Sequence, residues 1–302
     1  MELGMIGLGK MGLNMTTRLV RGGHRVVGFA RSSESVQKAI KNGAEGASSL
    51  AEVIEKLKPP RRVWLMVPAG NITSQVIDQS AKLLSASDII IDGGNSYYKD
   101  TIRHASDLDT NGIDFLDCGT SGGIWGLTEG YSLMIGGKAA IVEKLRPIFE
   151  TLAPSAVTGW GRVGPHGSGH FVKMVHNGIE YGMMESLAEG FSIMKSKKEF
   201  GFDLSEISRI WQHGSVVRSW LLDLAAAALK TDPNLDDIQP WVADSGEGRW
   251  TVFESIDLDI PAPVITLALQ MRLASRDDKN FSARVLAALR NQFGGHTIRK
   301  NE

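Results

Sequence analysis

The sequence predicts a doubly wound α/β domain over residues 1–163, followed by an all-α domain over residues 164–302. Three observations support this. Short apolar runs alternate with amphipathic or turn-rich segments through the first half, the pattern of βαβ units on a mainly parallel sheet. The first run leads straight into a G-x-G-x-x-G turn, Gly7-Leu8-Gly9-Lys10-Met11-Gly12. Beyond a glycine-rich join (Gly161, Gly164, Gly167 and Gly169) the rest reads almost wholly as helix.

Taken in order, strands are expected at 3–6, 26–30, 63–67, 89–91, 114–117 and 132–135, with one more short strand at 156–158. Right-handed crossovers would place the intervening helices on both faces. Helices of the second domain are expected at about 166–198, 204–210, 216–230, 247–258, 262–275 and 280–293. The chain has 302 residues, 42% of them hydrophobic and 22% charged, with a formal net charge of −1. That is enough for two domains, and it gives no global field for nucleic acid or an anionic membrane. No basic face with aromatic platforms suits nucleic acid. No apolar run reaches the ~18 residues of a membrane span, and no basic leader opens the chain. The single cysteine, Cys118, rules out an intrachain disulfide and fits a reducing compartment, so a cytoplasmic location is expected.

The glycine turn sits at the end of the first strand and opens a helix from about residue 11 to 21. Gly7 permits the tight turn, Gly9 lets backbone approach a pyrophosphate, and Gly12 lets helix and strand pack closely. The helix N-terminus offers N–H groups and positive dipole to phosphates. This is a Rossmann-type dinucleotide site, in which residues 7–12 would line the cofactor, with Val67-Pro68-Ala69 after the third strand as a second contact. The second strand ends Phe29-Ala30-Arg31-Ser32 with no acid at its tip. Arg31 and Ser32 could hold a 2′-phosphate, which gives NADP a slight preference over NAD; the alternative is that Arg31 only stacks on adenine or is a solvated surface residue.

Two glycine loops follow later strands: Ile91-Asp92-Gly93-Gly94-Asn95-Ser96 and Asp117-Cys118-Gly119-Thr120-Ser121-Gly122-Gly123. Both fall where open α/β sheets bind ligands, and Asn95 and Ser121 supply an amide and a hydroxyl. In the segment Gly167–Gly182, Lys173, His176, Asn177, Glu180 and Tyr181 recur at helical spacing. At about 100° per residue they share one arc of roughly 140°. Amine, imidazole, amide, carboxyl and phenol on one face make a poor core stripe and a good floor for acid–base chemistry.

These residues resemble the 6-phosphogluconate dehydrogenases within the wider β-hydroxyacid dehydrogenase superfamily. The resemblance runs from residue 3 to about residue 298. It is anchored by the Met5–Gly12 turn, IDGGNS at 91–96, SGG at 121–123, HFVKMVHNGIEYG at 170–182, WTVFES at 250–255 and the tail Arg290-Asn291-Gln292-Phe293-Gly294-Gly295-His296. The family's long members carry a larger helical domain, so this chain is similar to the short form.

The resemblance implies NAD(P)-dependent oxidative decarboxylation of 6-phospho-D-gluconate to ribulose 5-phosphate and CO2, without a metal. A base must take the hydroxyl proton, a donor must polarise the ketone, and an acid must protonate the enediol carbon. Lys173 fits the first two roles if its amine can become neutral, and Glu180 fits the third. The resemblance implies the same roles. It further assigns His176 and Asn177 to the substrate hydroxyls and the nicotinamide side, and Asn95, Ser121, Gly122 and Gly123 to the carboxylate and nearby hydroxyls, with Asn95 lining the cofactor as well. Tyr181 and Arg272 would contact the phosphate, with Arg290 and His296 donated by a neighbouring subunit, which implies a homodimer or homotetramer. One motif departs. Where the family pattern reads K-G-T-G-x-W, this chain has Ser245-Gly246-Glu247-Gly248-Arg249-Trp250, so a cation is missing and an anion added. Two other readings stand beside this one: an enzyme for another small β-hydroxy acid, and a nucleotide-binding regulatory module without catalysis.

Overall fold

The structure is a computed structural model that describes residues 1–299; the last three residues of the expected second domain, 300–302, lie outside them. The chain forms two compact units, Met1–His176 and a second from Asn177 onward. The join expected near residue 163 coincides with the end of the last strand, and the compact division comes later in the chain.

The first unit follows the order β1 (Glu2–Ile6), α1 (Lys10–Arg21), β2 (Arg25–Phe29), α2 (Ser33–Lys41), β3 (Glu45–Gly46), α3 (Leu50–Lys56), β4 (Arg62–Leu65), α4 (Asn71–Ala81), β5 (Ile89–Asp92), α5 (Tyr98–Asp109) and β6 (Asp114–Ser121). It continues with α6 (Gly126–Glu129), β7 (Ser132–Gly137), α7 (Ala139–Lys144), α8 (Arg146–Leu152) and β8 (Trp160–Gly164). The strands form one sheet in the order β3-β2-β1-β4-β5-β6-β7-β8. From β3 to β6 every pairing is parallel, and β1 lies where the chain turns from one half of the sheet to the other. A short connection lets β7 return antiparallel to β6, and β8 then runs parallel to β7.

Two cores cover the two faces. Met15 and Leu19 of α1, Ala39 of α2 and Phe149 and Leu152 of α8 pack with Leu3, Met5, Trp64, Ile91 and Leu116. Val53 of α3, Ile77 of α4 and Leu108 of α5 pack with Ile6, Val63, Leu65, Ile90 and Phe115. Neighbouring residues of β4 and β5 thus go to opposite cores, as the two-residue period of a strand requires. Burial on both faces explains why these strands read as continuous apolar runs.

The strand expectation needs two corrections. The last strand is Trp160–Gly164, not 156–158, where Ser155 and Thr158 form only an isolated bridge. An edge strand bonds one neighbour, so Gly161 and Gly164 are tolerated within it although they read as a join. The two-residue β3, pairing Val27 with Glu45 and Gly28 with Gly46, is too short to leave a periodic signal.

Helix α9 (Ser168–Ser196) carries the chain into the second unit. There follow α10 (Leu204–Trp211), α11 (Trp220–Thr231), α12 (Glu247–Asp257), α13 (Pro263–Ala274) and α14 (Phe281–Gly294). Asp203, Ser219 and Asn280 cap α10, α11 and α14 through their side chains. Tyr181, Val252, Ala268 and Leu269 form a small core. Many large apolar residues of α12–α14 stay exposed, among them Phe253, Val264, Leu267, Phe281, Leu286 and Leu289. Among the described residues no helix is long and apolar enough to cross a membrane.

Candidate active site

The three glycines of the first turn separate by what surrounds them. Gly7 adopts a φ of +98°, and a Cβ there would lie 2.3 Å from the Met66 carbonyl oxygen. A Cβ at Gly12 would lie 2.0 Å from the Gly7 carbonyl oxygen. The protein itself therefore demands glycine at both. Gly9, the N-cap of α1, is exposed, and a Cβ there would meet nothing within 4 Å. The room above Gly9, against the free N–H groups of the helix start, fits a pyrophosphate.

The remaining expected cofactor residues have varied surroundings. The Leu8 side chain is buried in the core, so it can meet a cofactor only through backbone; Met11 is half-buried against that core and Lys10 is exposed. Val67 packs on the second core, the Pro68 carbonyl accepts from the Thr73 hydroxyl at 2.9 Å, and Ala69 is exposed. Arg31 is exposed beside the end of β2. The Ser32 hydroxyl caps α2 by accepting from the Ser35 N–H. Glu34 lies within α2 and pairs with Lys38 at 2.7 Å, so it is not the strand-tip acid that would read a ribose.

The first of the two loops expected to meet substrate is built around a buried aspartate. The Asp92 carboxylate accepts from the Gly94 N–H at 3.0 Å and the Ser96 hydroxyl at 2.7 Å. Both neighbours of Asn95 are thereby tied down, and Asn95 is left exposed at the tip. At the end of β6, Ser121 pairs with Ser132, and Gly122 and Gly123 turn with φ of +130° and +51°. The Asn14 amide of α1 donates to the Ile124 carbonyl at 3.2 Å and anchors the loop that follows.

Lys173 lies on α9, six per cent exposed, with Nζ 3.3 Å from His176 Nδ1. The contact serves both charge states: an ammonium donates to the ring nitrogen, and a neutral amine accepts from a protonated one. Lys173 comes this close to β6 because residue 119 is glycine; a Cβ at Gly119 would lie 2.5 Å from Lys173 Cβ. Sequence reasoning named Asp117 as the start of a loop and His170 as the start of a motif but gave neither a role; both are buried. Asp117 Oδ1 accepts from the Gly167 N–H at 2.8 Å, and Oδ2 accepts from the His170 N–H at 3.0 Å. The His170 ring lies 3.1 Å from the Asp92 carbonyl oxygen and 2.7 Å from the Thr101 hydroxyl. No residue spacing announces these bonds, since each partner is far away in the chain.

In the second unit Asn177 and Tyr181 are buried and Glu180 is half-buried. The Arg272 guanidinium stacks on the Tyr181 ring, 3.6 Å from its centroid, and donates to the Ala243 carbonyl at 2.9 Å. The Tyr181 hydroxyl lies 3.3 Å from the Ser245 hydroxyl, which donates to the buried Glu247 carboxylate. Arg249, the cation next to this departure from the family pattern, is committed to Asp244 at 2.6 Å. The structure thus brings Tyr181, Arg272, Ser245 and Glu247 together. Arg290 is exposed on α14 and His296 is exposed beyond it.

Comparison with known proteins identifies the family. Residues 2–161 match the family model for the NAD binding domain of 6-phosphogluconate dehydrogenase, and residues 169–302 match that for its C-terminal domain. The NAD(+)-dependent, decarboxylating 6-phosphogluconate dehydrogenase of Haloferax volcanii is 40% identical over 303 residues, covering 100% of both chains. The NADP(+)-dependent enzyme of Bacillus subtilis is 37% identical over 288 residues, 91% of this chain and 61% of its own. The solved 6-phosphogluconate dehydrogenase of Plasmodium falciparum, described in its apo form and with NADP+ and with 6-phosphogluconate, superposes with a TM-score of 0.84. Its identity is 30%, over 100% of this chain and 67% of that one. The 3-hydroxyisobutyrate dehydrogenase of Mycobacterium tuberculosis, at 20% identity and a TM-score of 0.73, shares the fold.

Proposed function

The chain belongs to the 6-phosphogluconate dehydrogenase family, and from that premise we propose how its own residues carry out the family reaction. The activity is oxidative decarboxylation of 6-phospho-D-gluconate to D-ribulose 5-phosphate and CO2, with reduction of NAD or NADP. A bound nicotinamide supplies the acceptor for the hydride that leaves C3. Lys173 takes the C3 hydroxyl proton as that hydride departs, then holds the proton against the new ketone oxygen. A polarised β-keto acid loses CO2 because the ketone accepts the electron pair. Glu180 protonates the resulting enediol at the substrate's C2, which becomes C1 of the ketopentose. Asn95, Ser121, Gly122 and Gly123 hold the carboxylate end, His176 and Asn177 the hydroxyls, and Tyr181 with Arg272 the phosphate.

The observation that carries this reading is the burial of Lys173 against Gly119 with His176 at its amine. The amine and the ring nitrogen can pass a proton between them, as the first step needs. Steady-state assays with 6-phosphogluconate and each cofactor test it. Turnover is expected in the wild type and none in Lys173→Met, which should still bind the dinucleotide. Loss of dinucleotide binding in that variant would make the lysine structural.

Relatives use either cofactor, and Arg31 at the end of β2 supports a slight preference for NADP through its 2′-phosphate. The exposed apolar residues of α12–α14 support a homodimer or homotetramer in which Arg290 and His296 complete the neighbouring site. The location is the cytoplasm. One observation favours a second substrate, another small β-hydroxy acid: the Ser245–Glu247 pair puts a buried carboxylate beside Tyr181. Parallel assays on gluconate, glycerate and 3-hydroxyisobutyrate separate the two.

A further inference from the structure

We propose that Asp117 and His170 are positioning residues that fix the height of Lys173 above the sheet and its place relative to the Asn95 loop. The inference rests on the reading of Lys173 as the group that moves the proton. Asp117 is wholly buried in β6, and both of its oxygens are used at the start of α9, on Gly167 and His170. The helix is therefore capped by a strand some fifty residues earlier in the chain. Charge-assisted N–H···O bonds are the strong kind, and a negative charge at a helix N-terminus complements its dipole.

The surroundings allow this cap no slack. A Cβ at Gly136 of the adjacent strand would lie 2.4 Å from Asp117 Oδ1, and a Cβ at Gly169 would lie 2.4 Å from the Met134 carbonyl oxygen. Helix backbone thus rests directly on strand backbone. Asp117 and Gly119 are two apart on β6 and share a face. Asp117 takes the first turn of the helix and Gly119 takes the turn that carries Lys173. The strand sets where along its length the lysine stands.

His170 ties this frame to the second loop. The Asp92 carbonyl can only accept, so Nε2 carries a proton, and in the neutral ring Nδ1 accepts from the Thr101 hydroxyl. The Asp92 carboxylate holds Gly94 and Ser96 on either side of Asn95. One buried chain of hydrogen bonds therefore runs from the Asn95 loop through Asp92 and His170 to Asp117. Lys173 follows one turn after His170 on the same helix. Any slide of α9 along β6 shifts the amine relative to Asn95.

Asp117→Asn keeps the shape but turns one acceptor into a donor, facing an N–H that it must repel. His170→Leu removes the bond to Asp92, whereas His170→Gln retains an amide N–H that can restore it. Displacement of about 1 Å costs on the order of 10²-fold in rate, so kcat should fall at least ~10-fold in Asp117→Asn and His170→Leu. The Kd for the dinucleotide should stay within about twofold, since the glycine turn is untouched. His170→Gln should recover much of the loss. The experiment is kcat, KM, cofactor Kd and a melting curve for wild type, Lys173→Met and these three variants; should Asp117→Asn fail to fold, the His170 pair decides alone. Wild-type kcat in folded His170→Leu, with only a lowered melting temperature, would reduce the brace to a structural one and overturn the proposal. An inactive wild type, or an active Lys173→Met, would overturn the parent reading and this one with it.

Discussion

Gly12→Ala and Gly9→Ala are one methyl each, in the same turn, and the structure gives them opposite consequences. At Gly12 the new Cβ would sit 2.0 Å from the Gly7 carbonyl oxygen and 3.1 Å from its carbon, where ordinary contact begins near 3.4 Å. Both atoms are backbone, in a turn held by the Gly7 N–H on the Phe29 carbonyl at 2.8 Å. Helix α1 must retreat from β1 by more than an ångström. Overpacking of that kind costs up to about 3 kcal/mol, and alanine's better helix propensity returns roughly 1, leaving about 2 kcal/mol. At ~2–4 °C per kcal/mol, that lowers the melting temperature by about 4–8 °C. At Gly9 the Cβ meets nothing, and the only loss is a slightly poorer N-cap, so melting should move by no more than about 2 °C. The methyl instead occupies the space assigned to the pyrophosphate. If the clash there is worth ~1–3 kcal/mol, the Kd for the dinucleotide rises by about 5–150-fold. Thermal melts and a fluorescence titration with NADPH measure both numbers on the same samples. Wild-type NADPH affinity in Gly9→Ala would refute the placement of the cofactor, and equal melting losses in the two variants would refute the packing argument.

Three further outcomes are expected. Glu180→Gln should slow decarboxylative turnover by about 10²-fold or more while the protein folds normally; near-normal kcat would remove it as the acid. Arg31→Ala should lower the NADP/NAD preference measured as a ratio of kcat/KM values, and an unchanged ratio would leave Arg31 a surface residue. His24 and His104 are both held below the ordinary histidine value of 6.5, in each case by burial first. Between that depressed value and 6.5 the unfolded chain binds more protons, so stability is lost as pH falls below about 6.5. Melting temperatures from pH 7 to pH 5 should show this acid limb, and a His24→Gln/His104→Gln double variant should flatten it. An undiminished limb in the double variant would place the acid sensitivity elsewhere.

What could be read from the sequence follows from how local each signal is. Five of the helices after residue 163 have starts expected within about two residues, because a 3.6-residue period repeats several times within each. The start of α11 was expected at 216 and falls at Trp220, since Ser219 takes the cap and the preceding residues stay outside the helix. Strands β3 and β8 gave no usable pattern, one being two residues long and the other an edge strand rich in glycine. Lys173, His176, Asn177, Glu180 and Tyr181 stood out because one helix places them at regular spacing.

The parts of the site that escaped notice are those made by register between distant segments. Asp117 read as the end of a strand and the start of a loop; its meaning comes from two N–H groups at the start of a helix that the chain reaches only after β7 and β8. Gly119 and Gly169 read as loop and join residues and Gly136 drew no reading, yet each is glycine because backbone or a buried side chain occupies the position of its Cβ. Gly9 is the informative contrast. It too carries no side chain, but nothing in the protein fills the space, so packing leaves room for the pyrophosphate that the proposed function places there. A glycine whose Cβ would collide with the protein reports on folding, and a glycine whose Cβ would meet open space beside free N–H groups reports on a ligand. That distinction separates packing from binding in this turn, where the G-x-G-x-x-G spacing alone treats all three alike.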